Sequence, residues 1–234
     1  MTENSFVRDN LFAVRERMEK ACIVAGRPVD SVSLVAVTKT VDAERINAAI
    51  ECGVTAIGEN RVQEYLGKKD TLHLDGVETH LIGHLQTNKV KSIVGKVDMI
   101  QSVDSERVAA AIDTASRALG ITTDILIEVN IGREIQKAGI LPEELPFLLE
   151  KAAEMQGVRV KGLMTVPPIL DTEYEKRKIF SEMFTLFIDN QQKKLDNIDM
   201  QILSMGMSGD FYEAILEGAT TVRVGSAIFG RRQY

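Results

Sequence analysis

Cysteine is scarce in this sequence, and long apolar runs are absent. The two cysteines, Cys22 and Cys52, cannot build a disulfide framework and lack the spacing of metal ligands. No apolar run reaches the ~20 residues that a membrane-spanning helix needs, and residues 1–10 are polar and acidic, unlike a signal peptide. We therefore expect a protein of the reducing cytoplasm with no membrane partner.

Low-complexity stretches and long linkers rich in proline, glycine or serine are also missing. The 234 residues therefore predict one domain spanning 1–234, a length typical of a barrel of alternating strands and helices. A net charge of −6 argues against nucleic acid as a partner. The three histidines lack the spacing of metal ligands on one helix face, so no metal site is expected.

What the sequence does contain is a repeated alternation of short β-branched runs and amphipathic segments. Continuous apolar runs of this length are typical of buried parallel strands. About eight such runs occur along the chain, and they cover residues 32–38, 56–58, 80–83, 98–103, 124–130, 159–164, 201–204 and 221–224.

The segments between these runs carry signals of helix ends. Asp42 can cap a helix over 43–52, and Pro142 can open another. Strand–helix alternation implies parallel strands, because parallel neighbours need a crossover. We predict a single (β/α)8 TIM-type barrel of the α/β class, with a doubly wound open sheet as the alternative. Residues 5–25 predict an extra N-terminal helix, in a segment 1–30 that packs on the barrel.

Function in such a barrel lies at the carboxyl ends of the strands. The sequence places polar residues at that end of otherwise apolar runs, which predicts a site there. These residues are Lys39, Glu59, Asn60, His84, Ser102, Asn130, Thr165, Ser204, Ser208, Arg223 and Ser226. Met164, Met205 and Met207 also lie there, and although methionines are more often packing residues, we expect these to wall the pocket.

Two glycine-containing loops after the last two runs are typical of a phosphate cradle. Residues 204–209 join a predicted strand to a helix that starts near Asp210, and Gly225 and Ser226 repeat the design after the eighth run. Glycine lets the backbone approach an oxyanion, Ser208 can donate its hydroxyl, and a helix N-terminus adds free N–H groups. The alternative is that these glycines only form turns.

Lys39 and Arg223 carry the charges of the predicted mouth. Lys39 either lies in solvent or, partly desolvated, forms a Schiff base. Arg223 either pairs with a core carboxylate such as Glu59 or Glu128 or contacts a cofactor ring. A Schiff-base lysine beside a phosphate cradle also fits an aldolase, so the pair alone does not specify the cofactor.

Six ordered motifs make the sequence similar to a known family. They are VAVTKT at 35–40, GEN at 58–60, HLIGHLQTNK at 80–89, GLMT at 162–165, LSMGMS at 203–208 and VRVGSAIFG at 222–230. With these motifs the chain resembles the pyridoxal phosphate homeostasis protein family, which is related in fold to the barrel domain of alanine racemase. The resemblance runs from about residue 32 to the end of the sequence.

The resemblance implies that the chain binds pyridoxal 5′-phosphate (PLP) covalently through Lys39. It implies a pyridine-nitrogen contact from Arg223 and phosphate contacts from Ser208, Gly225 and Ser226. The other residues of the predicted site are Asn60, Met164 and Ser204, which the resemblance places close to the cofactor, and Met207 in the pocket wall.

Two departures from the family pattern stand out. The usual Lys-Thr-Lys-Pro segment is Lys39-Thr40-Val41-Asp42 here, and Gln136 replaces an Asn before Lys-x-Gly. The first departure removes a second lysine that could accept or pass on PLP. Neither departure touches the predicted Schiff-base lysine.

The family is linked to PLP supply and to amino-acid and keto-acid balance, without an established catalytic reaction. The first hypothesis is therefore a monomeric carrier and buffer that passes PLP to apo PLP-dependent enzymes. Arg223 favours it, because a guanidinium disfavours protonation of the pyridine nitrogen and weakens the ring as an electron sink. The second is an amino-acid racemase or other PLP-dependent enzyme, which needs acid–base groups on both ring faces. A third is a phosphate-binding aldolase or isomerase without PLP.

Overall fold

Eight parallel strands close into a barrel in the computed structural model, which describes residues 3–192 and 195–230. The strand order is sequential, and the barrel closes where β1 pairs with β8. The strands are β1 (Ser33–Val37), β2 (Ala56–Glu59), β3 (Glu78–Leu81), β4 (Met99–Val103), β5 (Thr123–Glu128), β6 (Val158–Met164), β7 (Ile198–Ser204) and β8 (Thr221–Val224). The predicted TIM-type barrel is confirmed, and the open-sheet alternative is wrong.

Helices lie on the outside of the barrel. They are α1 (Glu3–Val24), α2 (Ala43–Glu51), α3 (Val62–Lys68), α4 (Val90–Ile93), α5 (Glu106–Leu119), α6 (Leu145–Ala153), α7 (Glu173–Gln191), α8 (Phe211–Leu216) and α9 (Ser226–Phe229). Of these, α2 to α8 connect successive strands, α1 precedes β1 and α9 follows β8. Asp42 caps α2 as predicted, since its side chain accepts a hydrogen bond from Arg45 N at 2.9 Å. The helix predicted from Pro142 begins as a 3-10 turn, and α6 proper follows it.

Alternation along the strands separates an outer core from the barrel interior. Residues such as Ala36, Ile57 and Leu81 are fully buried in the large cluster between the strands and the helices. Inside the barrel, a smaller apolar cluster consists of Met99, Leu126 and Met164, with Val166 and Ile202 packed against it. Buried polar side chains, among them those of Gln101 and Arg223, also lie inside the barrel, which is unusual for a barrel core and marks the site.

The predicted N-terminal helix is present as α1, which packs against α2, α8 and α9. Its buried side chains include Val7, Leu11 and Val14. Arg15 donates to the carbonyl of Cys52 at 2.9 Å, at the carboxyl end of α2. Within the described residues, no helix is both long and apolar enough to cross a membrane. Residues 1, 2, 193, 194 and 231–234 of the predicted domain lie outside the described part of the chain.

Candidate functional site

The predicted site residues lie where expected, at the carboxyl ends of the strands. Lys39 follows β1, Asn60 follows β2, and Gly225 follows β8, so three adjacent strands bring these residues to one side of the mouth. The Lys39 side chain is half-buried. The next residue, Thr40, has a φ of 61°, which makes the turn that carries the chain away from the barrel.

The loop after β1 is fixed by a lysine and a glutamate of α3 that sequence reasoning missed. Lys68 Nζ donates to the carbonyl of Thr38 at 2.8 Å and to that of Val41 at 3.3 Å. The backbone N–H of Thr40 donates to the Glu64 carboxylate. These bonds hold both flanks of Lys39, so α3 determines where the backbone presents this lysine.

Glu59 belongs to the same outer cluster and not to the barrel interior. Lys68 Nζ lies 2.5 Å from Glu59 Oε1, and the Thr38 hydroxyl also bonds this carboxylate. Burial raises the pKa of Glu59, while the hydrogen bonds from Lys68 and Thr38 act in the opposite direction. An ion pair between Arg223 and Glu59, one of the alternatives for Arg223, is therefore wrong.

Arg223 lies inside the barrel and is held by neutral groups. Its Nη1 donates to the Ser204 hydroxyl at 2.7 Å, and its Nη2 donates to the carbonyl of Thr165 at 2.8 Å. The residue is 3% exposed. Burial lowers the pKa of Arg223 to about 10, so the guanidinium stays charged at neutral pH. Two of five N–H donors are thus engaged within the described residues, and the geometry fixes the plane of the group.

Glu128 at the end of β5 is the second ionisable group of the mouth with a strongly altered environment. Burial raises the pKa of this carboxyl to about 7, and the charge of Asp104 adds to the effect. The charges of Arg223 and His84 oppose it. Sequence reasoning named Glu128 only as a partner for Arg223; within the described residues, the two form no ion pair.

The loops after β7 and β8 meet at Ser208. Its Oγ accepts hydrogen bonds from the backbone N–H groups of Gly225 and Ala227, both at 3.2 Å. Two acceptor positions of the hydroxyl are therefore filled, and its own proton remains available to donate. Ser226, the first residue of α9, is exposed beside them.

Gly206 fits this loop onto α8 and ties it to Arg223. It has a φ of 94°, and a Cβ built on it would lie 2.6 Å from Ala214 Cβ. Its carbonyl accepts the backbone N–H of Arg223 at 2.9 Å. This glycine is therefore required by close packing and not merely by a turn.

Asn60, Met164 and Met207 form other parts of the mouth. Asn60 Oδ1 is buried, and no hydrogen-bond partner for it lies in the described part of the chain. A buried polar atom of this kind is costly unless another molecule satisfies it. Met164 is fully buried in the apolar cluster of the barrel interior, and Met207 is half-buried in the loop after β7.

Other polar residues at the strand ends have structural contacts. The Ser102 hydroxyl donates to the carbonyl of Gly83 at 2.7 Å, and the Thr165 hydroxyl donates to that of Val129 at 2.7 Å. Asn130 closes the following turn through its bonds to Glu134. The strand-end rule alone does not separate these residues from those that face the mouth.

A family model provides the first comparison with known proteins. The model described as the N-terminal domain of alanine racemase matches residues 10–233. This places the chain in the class of alanine racemase-type barrels. Among curated relatives, the pyridoxal phosphate homeostasis protein of Aquifex aeolicus is 44% identical over 226 residues, which cover 97% of this chain and 98% of the relative. The Escherichia coli K12 protein of the same name is 35% identical, with 97% of each chain covered. The chain belongs to the pyridoxal phosphate homeostasis protein family.

Solved structures agree with this assignment. PipY of Synechococcus elongatus, determined without PLP, is 34% identical and superposes with a TM-score of 0.86 over 96% of this chain and all of that one. The same protein with PLP bound is 32% identical and has a TM-score of 0.83, again over 96% of this chain and 100% of that one. An alanine racemase of Clostridium difficile shares the fold, with 14% identity and a TM-score of 0.73 over 98% of this chain and 58% of that one.

Proposed function

We propose that this protein binds PLP covalently through Lys39 and acts in PLP homeostasis as a carrier and buffer of the cofactor. PLP supplies an aldehyde, which condenses with a lysine amine with loss of one water, and an electron-withdrawing pyridine ring. Support comes from the family and from PipY, whose structure is described with PLP bound. The recipients proposed are apo PLP-dependent enzymes.

The observation that carries the proposal is the environment of Arg223. A guanidinium that is buried and held by one hydroxyl and one carbonyl has further N–H donors unused within the described residues, and a neutral ring nitrogen is a suitable acceptor for one of them. A pyridine nitrogen is such an acceptor. Ser204 takes part by orienting the guanidinium, and Met164 supplies an apolar floor below the ring.

The phosphate end of the cofactor is assigned to the meeting point of the last two loops. Ser208 can donate its hydroxyl proton there, because the two hydrogen bonds that it accepts from backbone N–H groups leave that proton unused. Gly225 and Ser226 contribute the neighbouring backbone and a hydroxyl. Asn60 Oδ1, just after β2, has no hydrogen-bond partner within the described residues and offers an acceptor to a polar group of the ring.

Tyrosine can serve as a general acid or base, and the positions of the three tyrosines in the described part of the chain favour a binding role over catalysis. Racemisation needs acid–base groups on both faces of the ring. The Tyr65 hydroxyl donates to the carbonyl of Lys96 at 2.7 Å, outside the barrel. Tyr174 is 76% exposed on α7, and Tyr212 packs against the outer cluster. Incubation with L-amino acids in heavy water tests the enzymatic alternative, and exchange at Cα would support a racemase or a related enzyme.

The lysine assignment is tested by spectroscopy and mapping. Protein reconstituted with PLP is expected to show the visible band of a lysine Schiff base, and borohydride reduction followed by peptide mapping is expected to place the cofactor on Lys39. Lys39→Ala should lose the band, whereas Lys91→Ala, which changes an exposed lysine of α4, should keep it. A band of unchanged intensity in Lys39→Ala would contradict the assignment.

The carrier role is tested by transfer. PLP-loaded protein, separated from free cofactor, is mixed with the apo form of an aminotransferase, and recovery of aminotransferase activity is followed in time. Transfer is expected from the unmodified protein and from Lys91→Ala, and none after borohydride reduction has fixed the cofactor. Loaded protein that never restores activity would argue against a carrier.

We also infer a cytoplasmic monomer, since one chain supplies the whole proposed site; sedimentation with and without PLP tests the oligomeric state.

A further inference from the structure

A line of hydrogen-bonded side chains crosses the barrel interior from the mouth to the opposite end. Arg223 Nη1 donates to Ser204 Oγ at 2.7 Å, and Ser204 Oγ donates to Gln101 Oε1 at 2.7 Å. Gln101 Nε2 lies 2.8 Å from His80 Nδ1, and His80 Nε2 lies 3.1 Å from Glu78 Oε2. The first four side chains are buried, and that of Glu78 is 66% exposed at the start of β3.

The two ends of this line and the orientation of the Gln101 amide together determine the direction of every bond in it. Arginine can only donate, and an ionised carboxylate can only accept. Ser204 therefore accepts from Arg223 and gives its proton to Gln101 Oε1, which leaves the Gln101 amide nitrogen to donate to His80. His80 must then be neutral, with its proton on Nε2, where it donates to Glu78. The hydrogen bond with His80 holds the pKa of Glu78 below its ordinary value, as expected for this acceptor.

Protonation of His80 is incompatible with this arrangement. A proton on Nδ1 would face the amide protons of Gln101, so the amide would have to turn and direct its nitrogen at Ser204. The Ser204 hydroxyl proton would then lose its acceptor, and the serine would no longer hold Arg223 in the same way. A change of charge near the lower end of the barrel therefore reaches the guanidinium at the mouth.

Other charged groups of the interior form no ion pair with His80 within the described residues. β1 and β2 direct Val35, Val37, Ala56 and Gly58 inward, and β4 contributes Met99 besides Gln101, so these strands bring no charge to His80. The inward charges of the remaining strands are Asp124 and Glu128 on β5, Arg159 and Lys161 on β6, Asp199 on β7 and Arg223 on β8. Arg159 pairs with Asp124, and Lys161 pairs with Asp199. Glu78 is the carboxylate that contacts the imidazole.

We propose that Glu78, His80 and Gln101 are positioning residues that hold the Arg223 guanidinium in the orientation that contacts the cofactor ring. Protonation of His80 disturbs this orientation and weakens cofactor binding. This inference rests on the proposed function, since it concerns the ring contact of the same site. Through this change the protein would release bound cofactor as pH falls. By linkage, binding of the ring and protonation of His80 oppose each other.

The test uses pyridoxine 5′-phosphate, which has the ring and phosphate but no aldehyde, so that Lys39 chemistry does not enter. Its dissociation constant is measured by calorimetry between about pH 5.5 and pH 8 for the wild type, His80→Phe, Glu78→Gln and His73→Gln. His73 is an exposed histidine outside the barrel and serves as the matched control. The loss of one oriented hydrogen bond is worth about tenfold in affinity.

Wild type and His73→Gln are expected to bind about tenfold more weakly at the acidic end. His80→Phe should bind weakly at every pH, with a flatter profile that reflects the ligand phosphate and Glu128, whose pKa burial raises to about 7. Glu78→Gln, a change at a side chain that is 66% exposed, should bind with a pH profile different from that of the wild type, because an amide does not require the His80 proton to stay on Nε2 as a carboxylate does. A His80→Phe or Glu78→Gln profile identical to that of the wild type would overturn the inference.

Nitrogen NMR of the unliganded protein separates this inference from the proposed function. The hydrogen-bond line requires a neutral His80 with its proton on Nε2, and a proton found on Nδ1 at neutral pH would overturn the inference by itself. Failure of the wild type to bind either PLP or pyridoxine 5′-phosphate at any pH would instead overturn the proposed function. The expected result is the Nε2–H tautomer together with pH-dependent binding.

Discussion

Glu128 and Arg223 show that desolvation at the barrel mouth shifts the pKa values of an acid and a base in opposite directions. Burial raises the pKa of the carboxyl to about 7 and lowers that of the guanidinium to about 10, because in both cases the charged form loses hydration. Arginine keeps its charge over the physiological range, whereas Glu128 changes charge within it. The charge of the mouth near neutral pH therefore depends in part on the protonation of Glu128.

The Glu128 carboxyl makes stability depend on pH in a defined direction. Its folded pKa lies above the unfolded value, so the folded state holds the proton more tightly, and stability present below about pH 4.5 is lost as pH rises through about 7. At about 1.4 kcal/mol per pH unit the loss amounts to about 3 kcal/mol.

Glu128→Gln removes this titration and keeps the shape of the side chain. In urea unfolding of the cofactor-free protein, we expect the variant to match the wild type near pH 4.5 and to exceed it by about 3 kcal/mol at pH 8. Glu150→Gln, at an exposed position of α6, is expected to change stability by less than about 0.5 kcal/mol at either pH. Equal stabilities of Glu128→Gln and the wild type at pH 8 would contradict the raised pKa of the buried Glu128 carboxyl.

Residues of the site differ in how far the sequence could predict them. Lys39, Ser204 and Arg223 follow or end apolar runs, so the barrel rule places them at the mouth. The role of Lys68 could not be predicted in this way, because it depends on how α3 crosses the loop after β1. The hydrogen-bond partners of His80 could not be predicted either. Gln101 lies on β4, whose register against β3 the sequence does not specify, and Glu78 lies on the same strand as His80.

At the scale of elements, strand ends were harder to predict than strands. The apolar run beginning at residue 201 identified β7, but the strand starts at Ile198. Asp199 and Gln201 interrupt the apolar pattern because they point into the polar lower barrel, where Lys161 bonds both of them. A parallel strand buried on both faces reads as a continuous apolar run, and a polar interior removes that signal on one face.

The contact between β6 and β7 depends on Gly162. This residue has a φ of 150°, lies at a register shift of the pair, and a Cβ on it would fall 1.8 Å from the carbonyl oxygen of Ile202. Gly162→Ala is therefore expected to destabilise the protein by about 3 kcal/mol or more, because backbone atoms on both strands must move. The free energy of unfolding from urea titration measures this.

Gly67 provides the matched control for that substitution. It lies in α3, is exposed, and a Cβ there would meet no atom within 4 Å. Gly67→Ala is expected to stabilise the protein by up to about 1 kcal/mol through helix propensity. If both alanine variants had the same stability, steric restriction at the β6–β7 contact would not be the cause.

For the whole molecule, the question is whether α1 and the barrel form one cooperative unit. The helix buries Leu11 and Val14 against the outer core. Two arginines, one in α1 and one just after it, donate hydrogen bonds to the backbone of later helices. Arg15 bonds the carboxyl end of α2, and Arg27 donates to the carbonyl of Ile215 in the last turn of α8 at 3.1 Å and to that of Ala219 after α8 at 2.8 Å. These contacts join the start of the sequence to both the first and the last barrel units, so we propose a single domain.

Leu11→Ala tests this proposal. Leu11 is 1% exposed, and its truncation should cost about 2–5 kcal/mol, whereas Phe12→Ala, at a side chain 71% exposed, should cost less than about 0.5 kcal/mol. If α1 is part of one cooperative unit, Leu11→Ala lowers the urea midpoint of the entire far-ultraviolet transition and reduces hydrogen-exchange protection in the barrel strands as much as in α1. Loss of protection confined to α1, with an unchanged barrel transition, would show that the helix unfolds on its own. The barrel closes between β1 and β8, directly under the helices that α1 covers, and for that reason we expect the shared transition.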